Sequence, residues 1–109
     1  MRATEKLFLE GMANSRRRLI HSGGLKHPDC FYGLAETGRL GREALTRIIR
    51  ALPEGTSEIM CHPGIKDDAL AARGNWGYGW QAELDAVTDD GVKALVRDMG
   101  VELVSYGSL

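Results

Sequence analysis

One pattern constrains this chain more than any other: an amphipathic helix that hands over directly to a short strand-like run. Between Arg42 and Leu52, the apolar residues Leu45, Ile48, Ile49 and Leu52 recur at i, i+3, i+4 and i+7. That is one stripe of a 3.6-residue period, so a helix with a single buried face is expected. Pro53 and Gly55 stop it, because proline cannot continue a helix and glycine tolerates the left-handed turn at a helix end. Thr56 to Cys61 then reads as a strand between two Pro/Gly turns, with Glu58 its one charged residue. His62-Pro63-Gly64 closes it. His62 therefore falls at the C-terminal end of a strand, the end at which parallel α/β sheets build their sites.

The rest of the chain supports the same architecture. Residues Thr4 to Leu19 read as a helix, capped by Thr4 and ended by Gly23-Gly24. Cys30-Phe31-Tyr32 is a brief strand bounded by Pro28-Asp29 and Gly33. Asp67 to Arg73 reads as a short helix, and Gly74 to Gly79 as a glycine-rich surface loop. Trp80, Leu84 and Val87 are helically spaced. Thr88 or Asp89 caps a further helix with Val92, Leu95, Val96 and Met99 on one stripe, stopped by Gly100. Val101 to Tyr106 is expected as a last strand. Successive helix-then-strand units favour an α/β fold with about three short parallel strands and three to four helices.

Size and charge exclude several classes. The 109 residues make one domain, 1–109, and fall well short of the ~250 that a complete eight-stranded α/β barrel takes. The net charge of −1 gives no pull toward nucleic acid or an anionic membrane. Arg16-Arg17-Arg18 reads as a solvated helix face. No apolar stretch approaches the ~18 residues of a membrane span, and the N-terminus lacks a signal-peptide core, so a cytoplasmic protein is expected. Cys30 and Cys61 make no disulfide framework. A thiol nucleophile at Cys61 paired with His62 is disfavoured, because adjacent strand residues face opposite ways. The spacings of His27, Asp29, Cys30, Cys61 and His62 fit no known zinc motif. His21 and His27 are read as carrying no role, and Glu58 as a charge with a partner rather than a catalyst.

Several blocks look familiar. Asp29-Cys30-Phe31-Tyr32-Gly33-Leu34, Thr37-Gly38 and Leu52-Pro53-Glu54-Gly55-Thr56-Ser57-Glu58-Ile59-Met60-Cys61-His62-Pro63-Gly64 follow one another in order. Glu83-Leu84, Val87-Thr88-Asp89 and Gly100-Val101-Glu102-Leu103-Val104-Ser105-Tyr106 come after them. Together they resemble the C-terminal third of the YdjC-like (ChbG/HpnK-type) carbohydrate deacetylases, over roughly Pro28 to Leu109. The central block from Gly55 to Gly64 is the most specific. The Leu-Pro-x-Gly spacing leans toward the hopanoid-associated branch. One departure is local: where the family often has an arginine just before the Glu-Leu pair, Trp80-Gln81-Ala82 stand here.

The resemblance implies a partial (βα)-barrel-like fragment, with residues 1–26 as a helical lead-in and 27–109 as the family-like region. It implies hydrolysis of acetamido groups on N-acetylated sugars, with a divalent metal, Mg or Zn, polarising the amide and activating water. The family's Asp-Asp motif and metal-binding histidines lie upstream of the matched blocks and have no counterpart in this sequence. No metal ligand is therefore assigned, and inactivity of the chain alone is expected. Within the resemblance, His62 is the candidate catalytic residue. Asp29, Trp76 and Tyr78 are candidate substrate contacts, the two aromatics as stacking faces for a sugar ring. An N-terminal polypeptide or a second copy of the chain is the expected partner. The rival expectation is a non-catalytic binding or oligomerisation module, because a partial barrel leaves strand edges and apolar faces uncovered.

Overall fold

The computed structural model describes residues 11–13, 16–17, 19–74 and 77–109. Residues 11–13, 16–17 and 19–22 are helical. The remainder of the helix expected from Thr4 lies outside the described residues. Gly24 adopts the left-handed conformation, φ 68°, just past the helix end. Then follow β1 (Cys30–Tyr32), α1 (Arg42–Arg50), β2 (Ser57–Ile59), α2 (Asp68–Arg73), α3 (Trp80–Thr88), α4 (Asp90–Asp98) and a short 3-10 turn at Tyr106–Ser108.

The two strands pair in parallel, with Cys30 opposite Ser57, Phe31 opposite Glu58 and Tyr32 opposite Ile59. Helix α1 is the crossover between them, as parallel neighbours require. It buries Leu45, Ile48 and Ile49, the stripe that the spacing marks. Glu43 stands in its first turn and Arg47 and Arg50 in its last, each sign complementing the helix dipole. Helices α1, α3 and α4 pack against one another. Leu40, Leu45, Ile48, Ile49, Ala86 and Val92 form the core, with Tyr32, Ile59 and Cys61 packed against it from the strand side. Helix α4 is capped as expected: the Asp89 carboxylate accepts from the Val92 N–H at 2.9 Å.

Two expectations need correction. The third strand is not formed: residues 101–105 carry no regular structure, and Tyr106–Ser108 is a 3-10 turn. A strand exists only through a neighbour, and no ladder reaches this segment among the described residues. Its side chains also lack the burial that would fix a register, Leu103 being 84% exposed. The fold is thus mixed α/β with two parallel strands among the described residues. The inner face of α3 also differs. Glu83 and Ala86 are buried, whereas Val87 is exposed.

No described helix is long and apolar enough to cross a membrane. Glu58 has the partner expected of it, the Tyr106 hydroxyl, which donates to its carboxylate. That bond, then burial, then the Glu58 charge hold the Tyr106 hydroxyl above its ordinary pKa.

Candidate functional site

Two loops leave the C-terminal ends of the parallel strands. One runs from Gly33 to Gly41, the other from Met60 onward. They stay close at first: the Met60 N–H donates to the Tyr32 carbonyl at 2.9 Å. Gly33, at φ 94°, permits the approach, since a Cβ there would meet the Met60 carbonyl oxygen at 2.2 Å.

Further on, one side chain ties the loops together. Glu83, in the first turn of α3, is 0% exposed. Its Oε1 accepts from the Leu40 N–H at 3.1 Å, and its Oε2 accepts from the His62 N–H at 2.5 Å. A buried carboxylate is expensive unless its oxygens are satisfied. Here two backbone donors do so, and a first-turn position at a helix N-terminus adds favourable potential. Sequence reading set Glu83 within a familiar block but gave it no role. Its signal was an acid one turn after Trp80 and one turn before Val87, on a stripe otherwise apolar.

His62 therefore has a fixed backbone at the rim of the strand pair. Its side chain is 34% exposed. Its Nδ1 is buried and makes no hydrogen bond among the described residues, although Glu83 Oε2 lies 3.9 Å away. That distance exceeds hydrogen-bond range. The Tyr78 ring lies 5.3 Å from the His62 ring, tilted by 57°, and 6.2 Å from the Trp80 ring. Gly38, at φ 74°, makes room for Tyr78: a Cβ there would meet its ring at 2.5 Å. The Gly79 N–H donates to the Gly38 carbonyl at 2.7 Å and locks that contact. On the other side the Gly64 N–H donates to the Trp80 carbonyl at 3.1 Å. The rim thus presents an imidazole beside the Tyr78 ring, which in turn neighbours Trp80, backed by one buried acid.

The other candidate contacts fall elsewhere. Asp29 precedes β1 and lies at the N-terminal ends of the strands, the opposite end from His62. Its Oδ2 accepts from the Thr56 N–H at 2.9 Å, its own N–H donates to the Thr56 carbonyl at 2.8 Å, and its carbonyl accepts from Arg17 at 2.9 Å. Asp29 is a clamp between strand starts, and the structure does not bring it to the rim. Trp76 lies outside the described residues.

The chemistry open to the rim is limited by its neighbours. Burial, and then the Glu83 carboxylate, push the Cys61 thiol above its ordinary pKa. A thiol held protonated is a poor nucleophile. No group of three or more His, Cys, Asp or Glu side chains among the described residues is placed to hold a metal. Both Glu83 oxygens are already engaged by backbone N–H groups, so the donors present do not fit a metal centre. What remains is proton transfer at an imidazole, next to an aromatic surface.

Comparison with known proteins places the chain among relatives. The family described as YdjC-like protein matches residues 1–98. A carbohydrate deacetylase from Thermoanaerobacter pseudethanolicus is 33% identical over 90 residues, covering 83% of this chain and 36% of the relative. A chitooligosaccharide deacetylase from Klebsiella pneumoniae is 36% identical over 76 residues, covering 70% of this chain and 29% of the relative. The chain spans about a third of the length of the curated relatives it matches. A crystal structure described as a cellobiose-phosphate cleavage protein from Enterococcus faecalis superposes with a TM-score of 0.65. It covers 79% of this chain and 34% of that one at 23% identity, which speaks to fold alone.

Proposed function

Because the chain belongs to the YdjC-like protein family, we propose that it forms the C-terminal flank of a carbohydrate N-deacetylase site, with His62 as its acid–base residue. Hydrolysis of an acetamido group expels an amine, which must gain a proton as the C–N bond breaks. An imidazole changes charge near neutral pH and suits that task. Tyr78 and Trp80 offer an apolar face beside it on which a sugar ring can stack. The observation that carries this reading is the position of His62, at the C-terminal rim with its backbone N–H held by a buried acid. The reading places the chain in a barrel-like (βα) assembly in the cytoplasm, completed by an N-terminal polypeptide. The Leu52-Pro53-x-Gly55 spacing favours the hopanoid-associated branch. A divalent metal, Mg or Zn, belongs to the reading only as a group held outside this chain.

The test is reconstitution. The chain is co-expressed with the part of the Thermoanaerobacter deacetylase that it does not cover, and acetate release from N-acetylglucosamine oligomers is measured. Acetate is expected from the pair and not from the chain alone. His62→Gln should lower the rate by about 100-fold or more, the scale of a lost general acid. Full activity of the His62→Gln pair, or turnover by the chain alone, would overturn the reading. A second reading, a non-catalytic oligomerisation module, draws on the exposed Leu103, Val104 and Tyr106 near the C-terminus. It predicts a stable dimer and no acetate from the reconstituted pair.

A further inference from the structure

The least satisfied polar atom at the rim is Nδ1 of His62. It is buried, makes no hydrogen bond among the described residues, and faces Glu83 Oε2 at 3.9 Å. A buried donor or acceptor left unpaired costs about 1–3 kcal/mol. Closing the gap to hydrogen-bond range takes a ring movement of about 1 Å. The backbone of the same residue is already tied to that oxygen at 2.5 Å, which holds its Cα close to the acid. Among the described residues, the ring contact given for His62 is with Tyr78. Tyr78, from the loop before α3, is an aromatic face, and Cys61, the preceding residue, has its thiol held in the protonated form.

We propose that Glu83 is a positioning residue for His62: its Oε2 takes the Nδ1–H of the ring as well as the backbone N–H, and so leaves Nε2 as the nitrogen that exchanges protons. Which nitrogen carries the proton is decided by the bond the other one makes. A carboxylate accepts only, so it selects the Nδ1–H tautomer. Glu83 would then perform two tasks with one oxygen, fixing the rim backbone and the working face of the imidazole. The proposal rests on the reading of His62 as the acid–base residue, but it concerns where a proton sits and needs no turnover to be examined.

The experiment is two-bond proton–nitrogen correlation on the full 15N-labelled chain, above the pH at which its histidines are charged. His21 and His27 serve as internal references, and His62→Gln identifies the signal. The expected result is a pyrrole-type Nδ1 and a pyridine-type Nε2 at His62. Glu83→Gln should abolish that preference and return the ring to predominantly Nε2–H. Where Glu83→Gln does not fold, the tautomer of the parent chain decides by itself. An Nε2–H ring in the parent chain overturns the proposal, and so does an Nδ1–H ring that persists in a folded variant. A purely structural Glu83 would change stability and leave the tautomer where it was. Failed reconstitution with an Nδ1–H ring would sink the deacetylase reading and leave the positioning role standing.

Discussion

Replacing Glu83 with methionine tests the junction on which the rim depends. Methionine matches the length and bulk of the side chain and accepts almost nothing, so the core is filled and the two bonds are lost. The Leu40 and His62 N–H groups are each left without an acceptor. A backbone donor stranded in a buried site costs about 1–3 kcal/mol, which sums to about 2–6 kcal/mol. Removing a desolvated carboxylate gives part of that back, since buried charges carry their own penalty. A net loss of about 2–4 kcal/mol is expected, against a total stability of about 5–15 kcal/mol for a domain of ordinary kind. The assay is urea unfolding followed by far-UV circular dichroism, with the slope unchanged and the midpoint lowered. Glu83→Gln should cost less, because its carboxamide oxygen retains one of the two bonds. Glu102→Met, at an exposed position, is the control and should stay within about 0.5 kcal/mol of the parent. A Glu83→Met chain as stable as that control would refute the argument that the acid holds the two loops.

Two further outcomes follow from other parts of the structure. Asp89→Ala removes the cap on the Val92 N–H and the 3.3 Å contact with Arg42. The cap accounts for about 1 kcal/mol, and the exposed ion pair adds little, so a loss of about 1 kcal/mol in urea unfolding is expected. Cys61 governs an alkaline limit. Its folded pKa lies above the ordinary 9.0, chiefly through burial. A group whose folded pKa is raised stabilises fully below its unfolded pKa, and that contribution is lost as pH rises through the folded value. The thermal midpoint should therefore fall above pH 9.0, and Cys61→Ala should flatten the fall over the first pH unit, before the raised Tyr106 begins to titrate. Equal slopes in the two proteins would remove the basis for that assignment.

What could be read in the sequence was what local chemistry decides. Leu45, Ile48 and Ile49 share one helix face and are buried together. Asp89 caps its helix, and Gly100 leaves it with φ 66°. These depend on residues within a turn of each other. Val101 to Tyr106 failed for the opposite reason: β-propensity is a preference that only a paired neighbour can realise, and among the described residues none is in place. Glu83 was missed because composition rules place glutamate outside. Its burial is permitted by two backbone donors, at Leu40 and His62, that come from loops 43 and 21 residues away. No window along the chain contains that information.

The position of Asp29 separates it from His62. The parallel register puts Asp29 beside Thr56 and fixes both at the strand starts. Thr56 and His62 are six residues apart, so the run between them spans at most about 20 Å at the rise of an extended chain. Asp29 therefore stands at one end of the strand pair and His62 at the other. Asp29 is also engaged through its carboxylate, its N–H and its carbonyl at once. On the reading proposed for His62, its remaining groups come from whatever faces the C-terminal rim, where Glu83 and Tyr78 already stand. Asp29→Asn should accordingly disturb the pairing of β1 with β2 before it disturbs anything at the imidazole.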